Sequence, residues 1–173
     1  MSKILIVAEV KNSEIKKNTL ELLSFAKSQG LEINAVLSGS GVAGQADVLA
    51  GQGASTVYLA DDESLEIYNT EQYTSLVTDA LQQSGATQVW LSSSELGRDL
   101  SPRLAARHGV GALSDVTQLE VNADQITAQR PCMSTKVMQK CQFSKDGLRV
   151  ISIRSGFFAA EETSPAPANT VSL

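Results

Sequence analysis

The chain of 173 residues is short of several residue types, and each shortage excludes a class of site. It has one histidine, His108, and two cysteines, Cys132 and Cys141, whose spacing fits neither a CxxC pair nor a zinc site, so no metal cluster is predicted. We interpret the cysteines as reduced thiols, because an odd separation along one strand would place them on opposite faces. No G-x-S-x-G motif surrounds a serine, and no catalytic acid, base and nucleophile can be named. The sequence therefore predicts that the chain is not an enzyme.

Basic residues and long apolar stretches are also scarce. Fourteen lysines and arginines against nineteen acidic residues give a net charge of −5, whereas a general nucleic-acid binder needs basic surface to displace counterions. The N-terminal apolar run Ile4–Ala8 is too short for the core of a signal peptide, and no run approaches membrane-spanning length. We therefore expect a soluble, cytoplasmic protein with neither nucleic acid nor a membrane as its partner.

The first part of the chain alternates regularly between apolar strand-like runs and helical periodicities. Strands are predicted at Lys3–Glu9, Ile33–Leu37, Thr56–Ala60 and Gln88–Ser92, and helices from Asn18 to Gly30, up to Ala50, over Glu71–Ser84 and over Leu100–Arg107. Short connections between such units are typical of a parallel sheet with helices on its faces. The predicted fold class is therefore α/β, in three layers, with a mostly parallel sheet of the nucleotide-binding-like kind.

The second half of the chain has a different pattern. Residues Val116–Val121, Gln125–Gln129, Lys136–Phe143 and Arg149–Ile153 alternate or run apolar, which is typical of hairpins and predicts antiparallel strands added to the sheet. From Glu161 onward there is no core pattern, and two nearby prolines favour a semi-rigid linker. The predicted organisation is one α/β domain over residues 1–160, followed by a linker or tail over residues 161–173.

A glycine-rich loop, Gly39-Ser40-Gly41-Val42-Ala43-Gly44, follows the second predicted strand and opens the second predicted helix. It matches the G-x-G-x-x-G fingerprint of dinucleotide sites, and two acids lie about twenty residues further on, where a ribose-binding acid is expected. One hypothesis is therefore a nucleotide site formed by Gly39, Gly41, Gly44, Asp61 and Asp62. The alternative is that the glycines serve only a tight turn, since the helix is broken by further glycines after barely two turns.

Six blocks of sequence follow one another in a specific order. They are Ile4–Glu9 with Thr19–Leu23, then Gly97–Arg107, Ser114-Asp115-Val116, Arg130-Pro131 and Val150–Phe158. In this order the set resembles the N-terminal domain of the α subunit of electron transfer flavoproteins, over nearly the whole chain from Lys3 to about Ala160. One departure is the turn after Arg130-Pro131, which in the family often contains Gly or Asn and here reads Cys132-Met133-Ser134-Thr135.

The resemblance implies an electron-carrier subunit. Members of the family work as αβ heterodimers that transfer electrons from acyl-CoA and other flavin dehydrogenases, as in fatty acid oxidation, to a quinone-linked acceptor such as a quinone oxidoreductase. Their FAD sits mainly in a C-terminal domain of the α subunit, outside the block of residues matched here, and a bound AMP belongs to the β subunit. The resemblance therefore implies a scaffold that pairs with a β subunit, with no cofactor held by this chain alone.

Three arginines, Arg98, Arg103 and Arg154, are the candidates for contacts with the β subunit or with the flavin domain. Guanidinium groups at strand ends and at a helix start suit the carboxylates and carbonyls of an interface. The alternative is pairing inside the domain, for example of Arg98 or Arg103 with Asp99 or Asp115. Because an isolated half of an interface exposes apolar surface, self-association of the chain is a further expectation.

Overall fold

The computed structural model describes residues 3–122, 125–143 and 147–173, and a seven-stranded sheet forms its centre. The strands are β1 (Lys3–Ala8), β2 (Val10–Lys11), β3 (Glu14–Ile15), β4 (Glu32–Gly39), β5 (Thr56–Asp61), β6 (Gln88–Ser92), β7 (Ala112–Val116), β8 (Gln118–Asn122), β9 (Gln125–Cys132), β10 (Val137–Gln142), β11 (Arg149–Ile153) and β12 (Thr170–Ser172). The helices are α1 (Lys17–Ser28), α2 (Ala46–Gly51), α3 (Thr70–Ser84) and α4 (Glu95–Arg107), with single 3₁₀ turns at Ala43–Gln45 and Glu63–Leu65.

The order of the central sheet is β12-β5-β4-β1-β6-β11-β7, and every neighbouring pair is parallel. The sheet has a separate core on each face, which explains the continuous apolar runs of its strands. Ile4 and Ile6 pack with α1 and α2, whereas Leu5 packs with α3 and α4. Trp90 of β6 is fully buried and stacks on Phe25 of α1, with 5.8 Å between ring centroids. The predicted three-layer α/β class is confirmed.

Two elements differ from the sequence-based prediction. β11 was assigned to the antiparallel additions, but it lies between β6 and β7 in the parallel sheet. Its five residues are all buried, as in a central parallel strand, and do not alternate as in a half-exposed hairpin. α4 begins at Glu95, before the predicted start at Leu100, because Ser94 caps it: the Gly97 amide donates to Ser94 Oγ at 3.1 Å.

Strands β8, β9 and β10 form a separate antiparallel sheet, here called the ribbon, which confirms the predicted antiparallel additions. Leu119, Ile126 and Ala128 of the ribbon are buried against the α1 side of the main core. The β9–β10 turn holds residues 133–135 at φ values of 49, 54 and 67°. Gly and Asn adopt this left-handed conformation at the lowest cost, so the departure from the family's usual turn falls on positions that favour those residues.

The two cysteines lie on different strands of the ribbon, Cys132 on β9 and Cys141 on β10, and both are free thiols. Cys141 is directly opposite Ala128, which lies four residues before Cys132 on β9. Because side chains alternate along a strand, an even separation places the two cysteines on the same face of the ribbon. That separation is roughly 13 Å along the strand, which is too far for a disulfide. The prediction of opposite faces was wrong because it assumed one continuous strand.

The tail, residues 161–173, runs back across the main sheet and ends in β12, the edge strand beside β5. The Glu161 amide donates to Ser24 Oγ at 2.9 Å, and the Ala168 amide donates to Asp47 Oδ1 at 3.0 Å. A Cβ on Gly51 would lie 2.2 Å from the Ser164 carbonyl oxygen, so glycine is required where the tail crosses α2. The sequence did not predict β12, because a strand of three residues is too short to show a pattern. The domain boundary at residue 160 stays a prediction.

Across the described parts of the chain, no helix combines the length and apolar character needed to cross a bilayer.

Candidate functional site

The glycine loop is closed by a carboxylate of its own chain. Asp61, at the end of β5, accepts hydrogen bonds from the Gly41 amide at 2.6 Å and from the Ala43 amide at 2.9 Å. The Ala43 amide is the main cause that lowers the pKa of Asp61 below its usual value. Convergent loop amides are the groups that a nucleotide phosphate would use, and here they already bind a carboxylate.

Asp62 and Gly41 also serve the local turn structure, whereas Gly44 lies in open space. Asp62 Oδ1 accepts the Ser64 amide at 2.8 Å and so caps the 3₁₀ turn Glu63–Leu65, and bonding to Ser64 lowers the pKa of Asp62. Gly41 is left-handed, with a φ of 66°, whereas a Cβ on Gly44 would meet nothing within 4 Å. These contacts support the tight-turn alternative, and the nucleotide hypothesis for this loop stays a prediction.

The cavity at the carboxyl ends of β1 and β4 is small. In this type of sheet, ligands bind where the strand order reverses, which here is beside β1. The β2–β3 hairpin, Ser38–Ser40, Tyr73 and Leu96 line a space of about 180 Å³ there. Ligand pockets for drug-sized molecules measure about 300 Å³ or more. The cavity at this place is therefore smaller than a typical pocket for a drug-sized ligand.

A buried carboxylate, Glu9, lies directly after β1 and joins three elements. Its side chain is 2% exposed, and it accepts bonds from Lys16 Nζ at 2.8 Å and Ser94 Oγ at 2.6 Å. The Glu9 amide donates to Thr19 Oγ1 at 2.9 Å. Because Lys16 precedes α1 and Ser94 caps α4, this carboxylate fixes the starts of both helices against β1. Sequence reasoning missed the cluster, and a charged residue closing an apolar strand was the available signal.

Of the three candidate arginines, Arg154 is paired inside the domain. It follows β11 and binds Asp115 with two bonds, Nε to Oδ1 at 2.8 Å and Nη2 to Oδ2. The Arg154 guanidinium is the main cause that lowers the pKa of Asp115, and Arg98 and Arg130 lower it further. Asp115 itself is left-handed, with a φ of 61°. Arg154 therefore has a partner inside the domain, and a contact of Arg154 with another subunit stays a prediction.

Arg98 and Arg103 are exposed on α4. Asp99 between them accepts bonds from Tyr68 Oη at 2.8 Å and Thr70 Oγ1 at 2.5 Å, and these bonds, with a smaller effect of Arg103, lower its pKa. Burial is the main cause that raises the pKa of Tyr68 to about 12. Neither Arg98 nor Arg103 forms an ion pair with a residue that the structure describes, so both guanidinium groups remain available for contacts outside the domain.

Removing the charge of Asp115 should reduce the pH dependence of stability in acid. A lowered pKa contributes stability that is fully present above the unfolded pKa, about 3.9, and is lost as the pH falls through the folded pKa. We expect Asp115→Asn, which tolerates a left-handed φ, to unfold about 1 kcal/mol more easily at neutral pH, since the pair is partly exposed. The free energies of unfolding of the two chains, measured with urea, should converge once the pH falls below the lowered pKa of Asp115. A difference that stays constant with pH would contradict the assignment.

His108 ends α4, and its Nε2 lies 3.5 Å from Thr78 Oγ1. Burial is the main cause that lowers its pKa, and the neighbouring Arg107 adds to the effect. Among the residues that the structure describes, no group of three or more His, Cys, Asp or Glu side chains could hold a metal ion.

The outer strand of the ribbon presents an apolar surface. Met133, Val137 and Met138 are 75%, 47% and 51% exposed, and in the described chain no strand pairs with the outer edge of β10. An exposed strand edge with apolar side chains readily pairs with another chain. This surface was not predicted, because the sequence shows alternation but not which strand of the ribbon lies outermost.

The sequence of the chain is similar to that of known proteins. The family model described as the electron transfer flavoprotein domain matches residues 4–173. Protein FixB of Clostridium saccharobutylicum is 31% identical over 167 residues, which is 93% of this chain and 50% of that protein. The electron transfer flavoprotein α subunits of Clostridium acetobutylicum and Bacillus subtilis are 29% and 28% identical, over 88% and 92% of this chain. The chain spans about half the length of these relatives.

Proposed function

Because the chain belongs to the electron transfer flavoprotein domain family, we propose that it is the scaffold domain of an α subunit, which binds a β subunit. FAD is then held mainly by the part of the α subunit that this chain does not span. The complete protein transfers electrons, in the cytoplasm, from acyl-CoA or related flavin dehydrogenases to a quinone-linked acceptor, as in fatty acid oxidation. The chain itself contributes contacts and position rather than catalysis.

The observation that carries the proposal is the exposed edge of the ribbon. Met133, Val137 and Met138 are exposed at the β9–β10 turn and at the start of β10, and the consecutive side chains of Val137 and Met138 lie on opposite faces of this strand. The ribbon itself is anchored in the core through its other strands. The cores of protein interfaces are rich in Met and depleted of charge. An anchored edge strand with such side chains therefore suits a stable subunit partner.

Met138→Glu should weaken binding of the β subunit by about tenfold or more, because a carboxylate would have to be buried at the interface. Ile67→Glu is the matched control, since Ile67 is equally apolar, is 81% exposed and lies before α3, away from the ribbon. Titration of each variant with the β subunit in a calorimeter measures the effect. Equal affinities for Met138→Glu and the parent chain would remove the ribbon from the interface. Sedimentation of the chain alone, without the β subunit, tests self-association through the same edge.

The candidate arginines are tested in the same assay. Arg98 and Arg103 have exposed guanidinium groups and remain proposed contacts, whereas Arg154 would act by holding Asp115. Charge reversal, Arg103→Glu, should weaken the αβ complex if the arginine meets a carboxylate of the partner. A full-length α subunit carrying Arg103→Glu that still forms the complex normally would exclude Arg103 from the interface.

A further inference from the structure

A cavity of about 370 Å³ opens between the first turns of α4 and the end of β7. Its polar lining consists of Arg98, Ser101, Ser114 and Asp115, and Pro102 and Ala112 form the apolar part. Ser101 is 1% exposed, whereas Arg98 is exposed, so the hydroxyl lies deep and the guanidinium lies at the mouth.

Positive charge around this cavity exceeds negative charge. Arg154 is paired with Asp115, but Arg130 donates to neutral oxygens, Ser114 Oγ at 3.1 Å and Gln139 Oε1 at 2.9 Å. Arg98 makes no ion pair with any residue that the structure describes. Three guanidinium groups therefore act on one carboxylate, and two of them have no carboxylate partner among the described residues. In a chain with a net charge of −5, this concentration is local.

We infer that this cavity binds a phosphate group through Arg98, with the hydroxyls of Ser101 and Ser114 as further donors. The two uncompensated charges match the dianion, and the planar fork of arginine suits two of its oxygens. The apolar wall formed by Pro102 and Ala112 leaves room for the group that carries the phosphate. The inference does not depend on the proposed function, because the site lies within this chain.

The test titrates the chain alone with inorganic phosphate, at an ionic strength held constant with sodium chloride, and follows the melting temperature and the ³¹P line width. We expect a saturable rise in melting temperature. Arg98→Gln should raise the half-saturating phosphate concentration about tenfold or more, since one charged donor is lost. Arg103→Gln, with the same charge change on the same exposed helix, should leave it unchanged, and Arg98→Lys should restore part of the binding.

The outcomes separate specific binding from general attraction. No saturation by phosphate, or an equal loss in Arg98→Gln and Arg103→Gln, would overturn the inference. A second arm replaces phosphate with AMP. Tighter binding of AMP that still needs Arg98 identifies a phosphate carried on a nucleotide, and equal or weaker binding identifies free phosphate.

Discussion

Replacing Gly97 by alanine should destabilise the chain by about 3 kcal/mol or more, which is a large part of the stability of a domain this size. Gly97 lies in the first turn of α4, directly against the end of β6. A Cβ at this position would lie 1.8 Å from the Ser92 carbonyl oxygen and 3.5 Å from Leu91 Cβ. The distance to Leu91 is an ordinary contact, but the Ser92 carbonyl does not yield easily, because it is backbone in a fully buried strand. The helix would have to move away from the sheet.

Gly111→Ala is the control for this substitution. An added Cβ there meets nothing within 4 Å, and the φ of Gly111 is not left-handed, so stability should be unchanged or slightly raised. Urea unfolding followed by the single, buried Trp90 reports both variants. Because α4 carries Arg98, the displaced helix should also lose the phosphate-dependent rise in melting temperature. A Gly97→Ala chain that unfolds like the parent would mean that α4 does not pack on β6 as described.

Lys16→Met should destabilise the chain by about 3 kcal/mol, and Glu9→Gln by only about 1 kcal/mol. The difference follows from burial: the Glu9 side chain is 2% exposed, whereas the Lys16 side chain is 35% exposed. Without Lys16, a carboxylate remains buried with Ser94 as its described side-chain donor. Without the charge of Glu9, the ammonium group is free to turn to water.

Chemical unfolding of the two single variants and the double variant, Glu9→Gln with Lys16→Met, measures this asymmetry. The double variant should be more stable than Lys16→Met alone, since no buried charge is left without a partner. Equal costs for the two single substitutions would show that Glu9 is hydrated in solution. Lys3 offers a matched control, because its ion pair with Glu32 at 3.0 Å is exposed and Lys3→Met should cost less than about 1 kcal/mol.

The layers of the fold could be predicted from the sequence, because each depends on local patterns. Apolar runs such as Ile4–Ala8 mark buried strands, and turn glycines such as Gly30 and Gly85 lie at the ends of helices. The position of β11 could not be predicted in this way. Strand order is a property of long-range pairing, and a five-residue apolar run fits a parallel neighbour and a hairpin equally well.

The candidate site was predicted only in part, again because its contacts join residues that are far apart in the sequence. Arg98, Arg103 and Arg154 were selected from their expected positions at element ends. Arg98 and Arg154 do lie in the first turn of α4 and directly after β11, whereas Arg103 lies in the second half of α4, because the helix begins five residues before the predicted start. The contacts around these arginines join residues that are distant in sequence. Asp115 is 39 residues from its partner Arg154, and Tyr68 is 31 residues from Asp99, which it binds beside Arg98. Which guanidinium is paired and which is free therefore depends on the folded chain.

The bonding of Asp61 has a consequence for how glycine fingerprints are interpreted in general. This chain has the glycine loop and the acid twenty residues further on, but the acid binds a loop amide that a ligand's phosphate could otherwise use. The spacing does not distinguish the two uses, because it measures only the length of one helix and one strand. In a loop of this kind the amides already bind a carboxylate of the same chain. Replacing Asp61 by a residue without a charge is therefore the natural first step in engineering the loop to bind a different anion.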